Sequence, residues 1–284
     1  DEALRNAVCV GVDLDLIAGL DNFCWPDPVE SAKTPDGRYK LAQLVRANRA
    51  IDDICRAYRL PCISGKDSMK NDATLDGEKI SVPPTILFSL VGNHSDVRKA
   101  VSSDFKKKGD SIYLLGETHQ ELGASELAFM LRDEGQGGIG GSVPAIDPSR
   151  NLAMYRALTG AMRKSLVSSA HDCSDGGLAV ALAECCIGAD SGATVELDSI
   201  LRGSEALDKW GALFGESLGR ILVSVKEESR EEFEVAMTGH ACHHLGTVIE
   251  GDEITFSNNG EEILVTSMSE ARSAWKNALD GGGA

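Results

Sequence analysis

Three short stretches carry residue types and spacings suited to phosphate and cation chemistry. The first is Ser64-Gly65-Lys66-Asp67-Ser68-Met69-Lys70-Asn71-Asp72, which directly follows a short apolar run. A glycine at the carboxyl end of a strand lets a ligand approach the backbone closely. Lys66 can neutralise a phosphate, Ser68 can donate a hydrogen bond, and Asp67 can hold a metal or a ribose hydroxyl. The pattern is not a P-loop, whose spacing of glycine before Gly-Lys-Ser/Thr is absent. A polar turn is the plainer reading of the same residues. The second stretch is His171-Asp172-Cys173-Ser174-Asp175-Gly176-Gly177-Leu178, between an expected strand and an expected helix. Carboxylates suit a hard cation, and glycine amides at a helix start face an anion. Helix capping by Ser174 or Asp175 competes with that reading. His171 has no nucleophile beside it and reads as structural. The third stretch, the glycine-rich run 135–141, lacks a phosphate-loop pattern and reads as a surface loop.

The elements that must position these residues alternate between helix and strand, an α/β or α+β pattern. Residues 2–11 fit a short helix, and 16–21 a buried strand ending on Asp21. Three prolines (Pro26, Pro28, Pro35) forbid regular structure in the loop that follows. The spacing of Leu41, Leu44, Val45, Ile51, Ile54 and Tyr58 predicts a helix over 39–58. Strands are expected at 61–64 and 85–91, the latter buried, and a short helix from 96. The charged segment 104–109 is the expected domain boundary, giving domains 1–104 and 108–280 with a tail at 281–284. Helices at 125–132, 151–167, 178–187, 227–236 and 269–279 then alternate with strands near 111–115, 169–172, 194–197, 220–225 and 245–265.

With 284 residues, the chain is long enough for two domains with their own cores. Its 44 acidic against 28 basic side chains give a formal charge of -16. Such a field repels polyanions, which argues against nucleic acid or an anionic membrane as partner. No apolar run approaches a membrane span. The eight cysteines show no CxxC pair, so reduced thiols and a cytoplasmic location are expected. The cluster from His240 to His244 is too tightly spaced for a usual zinc site and reads as a loop before a strand. The first residues read as the inside of a helix, so a truncated start is expected.

Taken together, SGKDSMKND and HDCSDGGL, about 107 residues apart, preceded by DEALRNAV and LDNFCWPDP and followed by FGESLGRILVSV, resemble a known family. They are similar to the phosphoribosylformylglycinamidine synthases of the aminoimidazole-ribonucleotide-synthetase superfamily, and in particular to the second of two homologous halves. The resemblance covers nearly the whole chain. It implies an N-terminal α/β half-barrel domain and a C-terminal α/β domain. It also implies ATP-dependent conversion of formylglycinamide ribonucleotide to the amidine with glutamine-derived ammonia.

By the same resemblance, Asp21, Gly65 and Lys66 fall at ATP-contacting positions and Ser68 at a substrate-contacting one. Lys66 stands where smaller forms carry a magnesium-holding asparagine, so it would meet phosphate instead. An auxiliary ADP site is implied, with Glu2, Asn6 and Asp172 as Mg²⁺ ligands and Ser174 on the nucleotide. Glu2 and Asn6 lie one helical turn apart and so share a face. The family's catalytic histidine belongs to the first half, so no catalytic residue is expected here, and the isolated chain is expected to bind nucleotide weakly or not at all and not to turn over. The implied partners are that first half, a glutaminase domain or subunit, and a second copy of the chain. Other readings are a non-catalytic nucleotide-holding scaffold, or another synthetase of the superfamily such as a selenophosphate synthetase. Those relatives usually place a GG[DE]T-like sequence where GKDSM stands.

Overall fold

The computed structural model describes residues 1–135, 141–202 and 206–278. Most of the glycine-rich run, the end of the expected last helix at 279 and the tail 281–284 lie outside the described residues. The fold is mixed α/β, and the chain divides into two compact units: 12–93, and 1–11 together with 94–284. The opening helix α1 (Glu2–Cys9) belongs to the larger unit. So do residues 94–104, and the boundary expected at 104–109 therefore falls inside that unit. The reason is packing: Leu4, Val8 and Cys9 of α1 are buried, and Val101 donates its backbone N–H to Val10.

The smaller unit contains β1 (Asp13–Cys24), α2 (Gly37–Tyr58), β2 (Cys62–Ser68), β3 (Asp72–Leu75), β4 (Glu78–Ser81) and β5 (Thr85–Asn93). Its three-stranded sheet has the order β2-β1-β5, with β2 parallel and β5 antiparallel to β1. The GKDS residues therefore lie within a strand, not in a turn after one, because 64–68 pair in register with 20–24. Pairing places Asp21 beside Gly65, Asn22 beside Lys66 and Cys24 beside Ser68. The β3–β4 hairpin is fastened by Lys79, which bonds Asp72 at 3.1 Å and the Thr34 hydroxyl at 2.7 Å. Trp25 is buried and donates its indole N–H to the Lys40 carbonyl.

Two expectations for this unit need correcting. The strand at 85–91 is not buried: Ile86, Phe88 and Leu90 are half-covered, while Leu87 and Val91 are 61% and 54% exposed. Alternation sends odd and even positions to opposite faces, and only one face of this sheet is covered. The period over 39–58 does give a helix, but Leu41 and Val45 on its apolar stripe are exposed.

The larger unit is built on a seven-stranded sheet of order β12-β11-β8-β10-β6-β9-β7 among the described residues. Its strands are β6 (Ser111–Leu115), β7 (Ser169–Asp172), β8 (Gly192–Glu196), β9 (Ile221–Val225), β10 (Cys242–Ile249), β11 (Glu253–Asn258) and β12 (Glu261–Ser267). Its other helices are α3 (Glu126–Asp133), α4 (Pro148–Arg163), α5 (Gly177–Ala189), α6 (Asp198–Leu201), α7 (Lys209–Phe214), α8 (Arg230–Ala236) and α9 (Met268–Asn277). Every residue of β6 and β9 is buried, as expected for central strands covered on both faces. Local chemistry sets the helix starts. Ser125 caps α3, Asp147 caps α4 ahead of Pro148, and Ser267 with Glu270 forms a capping box on α9. α5 is nearly all apolar and packs Leu178, Leu182, Cys185 and Cys186 into the core with Ile112, Leu222 and Phe256. The expected short helix from 96 is a single 3-10 turn, Val97–Lys99. The His240–His244 stretch lies mainly in β10 rather than in a loop, and no group of three or more metal-ligating side chains occurs among the described residues.

Candidate functional site

The HDCSDGGL stretch runs from the end of β7 into α5, and α1 brings a second set of polar residues to it. Ser174 donates to Asp172 at 2.5 Å, and Asn6 donates to the other carboxylate oxygen at 3.4 Å. Arg5 is 1% exposed; it pairs with Asp1 at 2.6 Å, lies 3.9 Å from Asp172 and reaches the Ser174 hydroxyl at 3.4 Å. Its Nε is buried without a hydrogen bond. Asp1 is held in turn by Tyr155 at 2.9 Å and Asn151 at 3.4 Å. His171 bonds Glu184 at 2.8 Å and stands 3.6 Å from Asp172.

These charges set one another's protonation. Burial pushes the Asp172 carboxyl up, but bonds from His171 and Ser174 and the Arg5 charge outweigh it and hold the group at about 2. Burial pushes His171 down, but the bonds and charges of Asp172 and Glu184 raise it to about 9. At neutral pH the cluster thus holds an imidazolium and an ionised Asp172.

α5 begins without a side-chain cap. The capping reading of Ser174 fails because its hydroxyl is turned to Asp172. Gly176 and Gly177 both have positive φ (75° and 65°), a backbone that glycine adopts freely. A Cβ at Gly177 would also strike the Gly215 carbonyl. Glu216 accepts from the Gly176 N–H at 3.0 Å. Buried Arg220 steadies that loop by donating to the carbonyls of Gly215 and Ser217. The Gly177 N–H bonds the Ser174 carbonyl at 3.0 Å, and beyond it the first turn of α5 has no side-chain cap, with Ser174 and Arg5 close by, an arrangement that suits an anion.

Of the residues expected at the auxiliary site, Asn6, Asp172 and Ser174 are brought together, while Glu2 stays exposed on α1. Arg5 and Asp1 escape sequence reasoning because a charged residue in an amphipathic helix reads as surface. Their i,i+4 spacing was the available signal.

In the smaller unit, Asp21 and Gly65 meet. A Cβ at position 65 would stand 2.7 Å from the Asp21 carboxylate oxygen, so glycine is what admits that side chain. Asp21 lines a groove of about 630 Å³ with Asn48, Asp52, Cys55, Arg59 and Cys62. Lys66 and Ser68 point to the opposite face, by strand alternation from Gly65. A ligand touching Asp21, Gly65 and Lys66 together would have to wrap the β2 edge of the sheet.

The strand running into a helix without a side-chain cap, together with a separate three-stranded unit, defines a two-unit α/β protein. Residues 107–257 match the family described as AIR synthase related protein, C-terminal domain, and the chain belongs to that family. Among solved structures it is similar to phosphoribosylformylglycinamidine synthase II from Thermotoga maritima (TM-score 0.68, 17% identity), covering 94% of this chain and 39% of that one. The T. maritima PurL complexed with FGAR matches at TM-score 0.68 and 18% identity, with 94% and 41% covered. Complexes of the T. maritima PurL with ATP and with ADP match as well. A HypE–HypF complex matches at TM-score 0.66 and 16% identity, covering 93% of this chain and 81% of that one. The chain thus spans about two fifths of the length of the PurL chains. At these identities the likeness shows the fold. No helix among the described residues is long and apolar enough to cross a membrane.

Proposed function

We propose that the chain is the second synthetase half of a phosphoribosylformylglycinamidine synthase and contributes to ATP-dependent amidination of formylglycinamide ribonucleotide with glutamine-derived ammonia. The observation that carries this reading is the convergence of Asn6, Asp172, Ser174 and Arg5 on an uncapped helix start. This is the arrangement a nucleotide phosphate needs, in a fold whose relatives were solved with ATP, ADP and FGAR. In this reading the α5 amides and Ser174 bind phosphate oxygens, and Arg5 offsets their charge. Asp172 and Asn6 offer oxygen donors to Mg²⁺, with Glu2 one turn away on α1. Two or three side chains suit Mg²⁺ only when phosphates and water complete its shell. The ion would then neutralise phosphate charge on the nucleotide.

Asp21, Gly65, Lys66 and Ser68 are assigned to the reacting ATP and its substrate, with the catalytic group supplied by the first half. A partner with a matching sheet, either that half or a second copy, would cover the bare face bearing Leu87 and Val91. The glutaminase is a separate domain or subunit, and the location is cytoplasmic.

Equilibrium dialysis with ADP and Mg²⁺ tests the auxiliary site. We expect binding that depends on the metal and falls at least tenfold in Asp172→Asn. Absence of binding by a folded wild-type chain overturns this site assignment. Adding the separately expressed first half should give phosphate release that depends on the ribonucleotide, and none is expected from this chain alone.

A second reading, a HypE-like synthetase acting without a homologous half, is favoured by the 81% coverage of that chain. Turnover of ATP by this chain alone with no formylglycinamide ribonucleotide would select it.

A further inference from the structure

The groove beside Asp21 holds a feature that nucleotide chemistry does not use. Cys55, in the last turn of α2, and Cys62, the first residue of β2, bring their sulfurs to 3.7 Å. Both line the groove, Cys62 exposed and Cys55 half-buried. The three residues between α2 and β2 hold them there: Arg59 takes a left-handed conformation (φ 54°), and Leu60 donates its backbone N–H to the Cys55 carbonyl at 2.8 Å. The buried cysteines Cys9, Cys173, Cys185 and Cys186 have no comparable access to solvent.

We propose that Cys55 and Cys62 form a reversible dithiol–disulfide site that accepts a low-molecular-weight disulfide as oxidant. The exposed Cys62 thiolate attacks one sulfur of the small disulfide, whose S–S bond breaks and releases one small thiolate. This leaves a mixed disulfide on Cys62. Cys55 gives up its proton to water and attacks the Cys62 sulfur, expelling the second small thiolate and forming the Cys55–Cys62 bond. The two protein thiols are oxidised and one small disulfide is reduced to two thiols. Burial, which persists once Cys62 carries the mixed disulfide, pushes the Cys55 thiol up from its ordinary value, so ring closure is the slower step and accelerates with pH. The bond ties the end of α2 to the start of β2 at the wall that carries Asp21.

The test uses the whole chain in native buffer with defined ratios of reduced to oxidised glutathione, then alkylation and trypsin. Cleavage after Arg49, Arg56, Arg59 and Lys66 separates the two cysteines. The expected product is peptide 50–56 disulfide-linked to peptide 60–66, reversed by reductant, while the other cysteines stay alkylatable after unfolding. Cys55→Ser should trap a glutathione adduct on Cys62, and Cys62→Ser should abolish cross-linking. The rate of closure should rise about tenfold per pH unit between pH 7 and 9. Absence of the linked peptide in oxidised glutathione overturns the proposal. So does equal linkage among other cysteines, or failure of Cys55→Ser to hold the adduct.

Discussion

The two units show opposite ways of completing a sheet. In the larger unit β6 and β9 are buried along their whole length, and helices such as α5 supply the cover. In the smaller unit β2 is an exposed edge strand, β5 is exposed at alternate positions, and Ile63 is 65% exposed. The first arrangement buries a charge, Arg5, among carboxylates. The second leaves Gly65 and Lys66 exposed and Asp21 and Ser68 only half-buried. Stability is thus concentrated in the larger unit, and the smaller unit depends more on what covers it.

Substitutions can break this comparison, beginning with the largest effect. Arg5→Ala should leave Asp1 and Asp172 without their buried partner and cost about 3–5 kcal/mol, read as a lowered denaturant midpoint. A loss below about 1 kcal/mol would show that the cluster is solvated. Next comes the pH response of the same cluster. His171, raised to about 9 in the folded chain, contributes stability that is fully present below its unfolded value and lost as pH rises through 9. Asp172, held at about 2, contributes stability present above its unfolded value and lost as pH falls through 2. Since the two charges support each other, their contributions are not additive. His171→Gln should therefore remove on the order of 2 kcal/mol at pH 6 and little at pH 10. Urea titrations at both pH values would check it; equal losses would contradict the assignment.

In the smaller unit the expected effects are smaller. Gly65→Ala should displace the Asp21 carboxylate for about 1 kcal/mol. Asp21→Ala in the same chain should relieve that cost in a double-mutant cycle. Leu87→Ser on the bare face should change the stability of the monomer by less than about 0.5 kcal/mol. A larger loss that depends on protein concentration would show that this face is covered by a second copy, and sedimentation would measure it.

Much of the molecule is legible in its sequence because periodicity and capping are local. Most elements fall within a few residues of expectation, and HDCSDGGL does join a strand to a helix. The GKDS residues mislead because polar residues on an exposed edge strand have the composition of a turn. The 85–91 run misleads because apolar composition cannot say whether one face or two are covered. Arg5 is missed for a related reason: its partner Asp1 is local, but the pair is buried only because Tyr155, Asn151 and Asp172, about 150 or more positions later, close around it.

By itself, then, the sequence determined the alternation of helices and strands and the two polar stretches, since these depend on neighbours within a few residues. Tertiary structure decided the rest. It placed α1 in the larger unit, and it closed Arg5, Asn6, Asp172 and Ser174 into one cluster. Strand register put Asp21 against Gly65 and turned Lys66 to the other face, and the turn at Arg59 brought Cys55 to Cys62. Each of those outcomes depends on packing between elements distant in sequence or on the exact turn of the backbone, which composition and spacing do not encode.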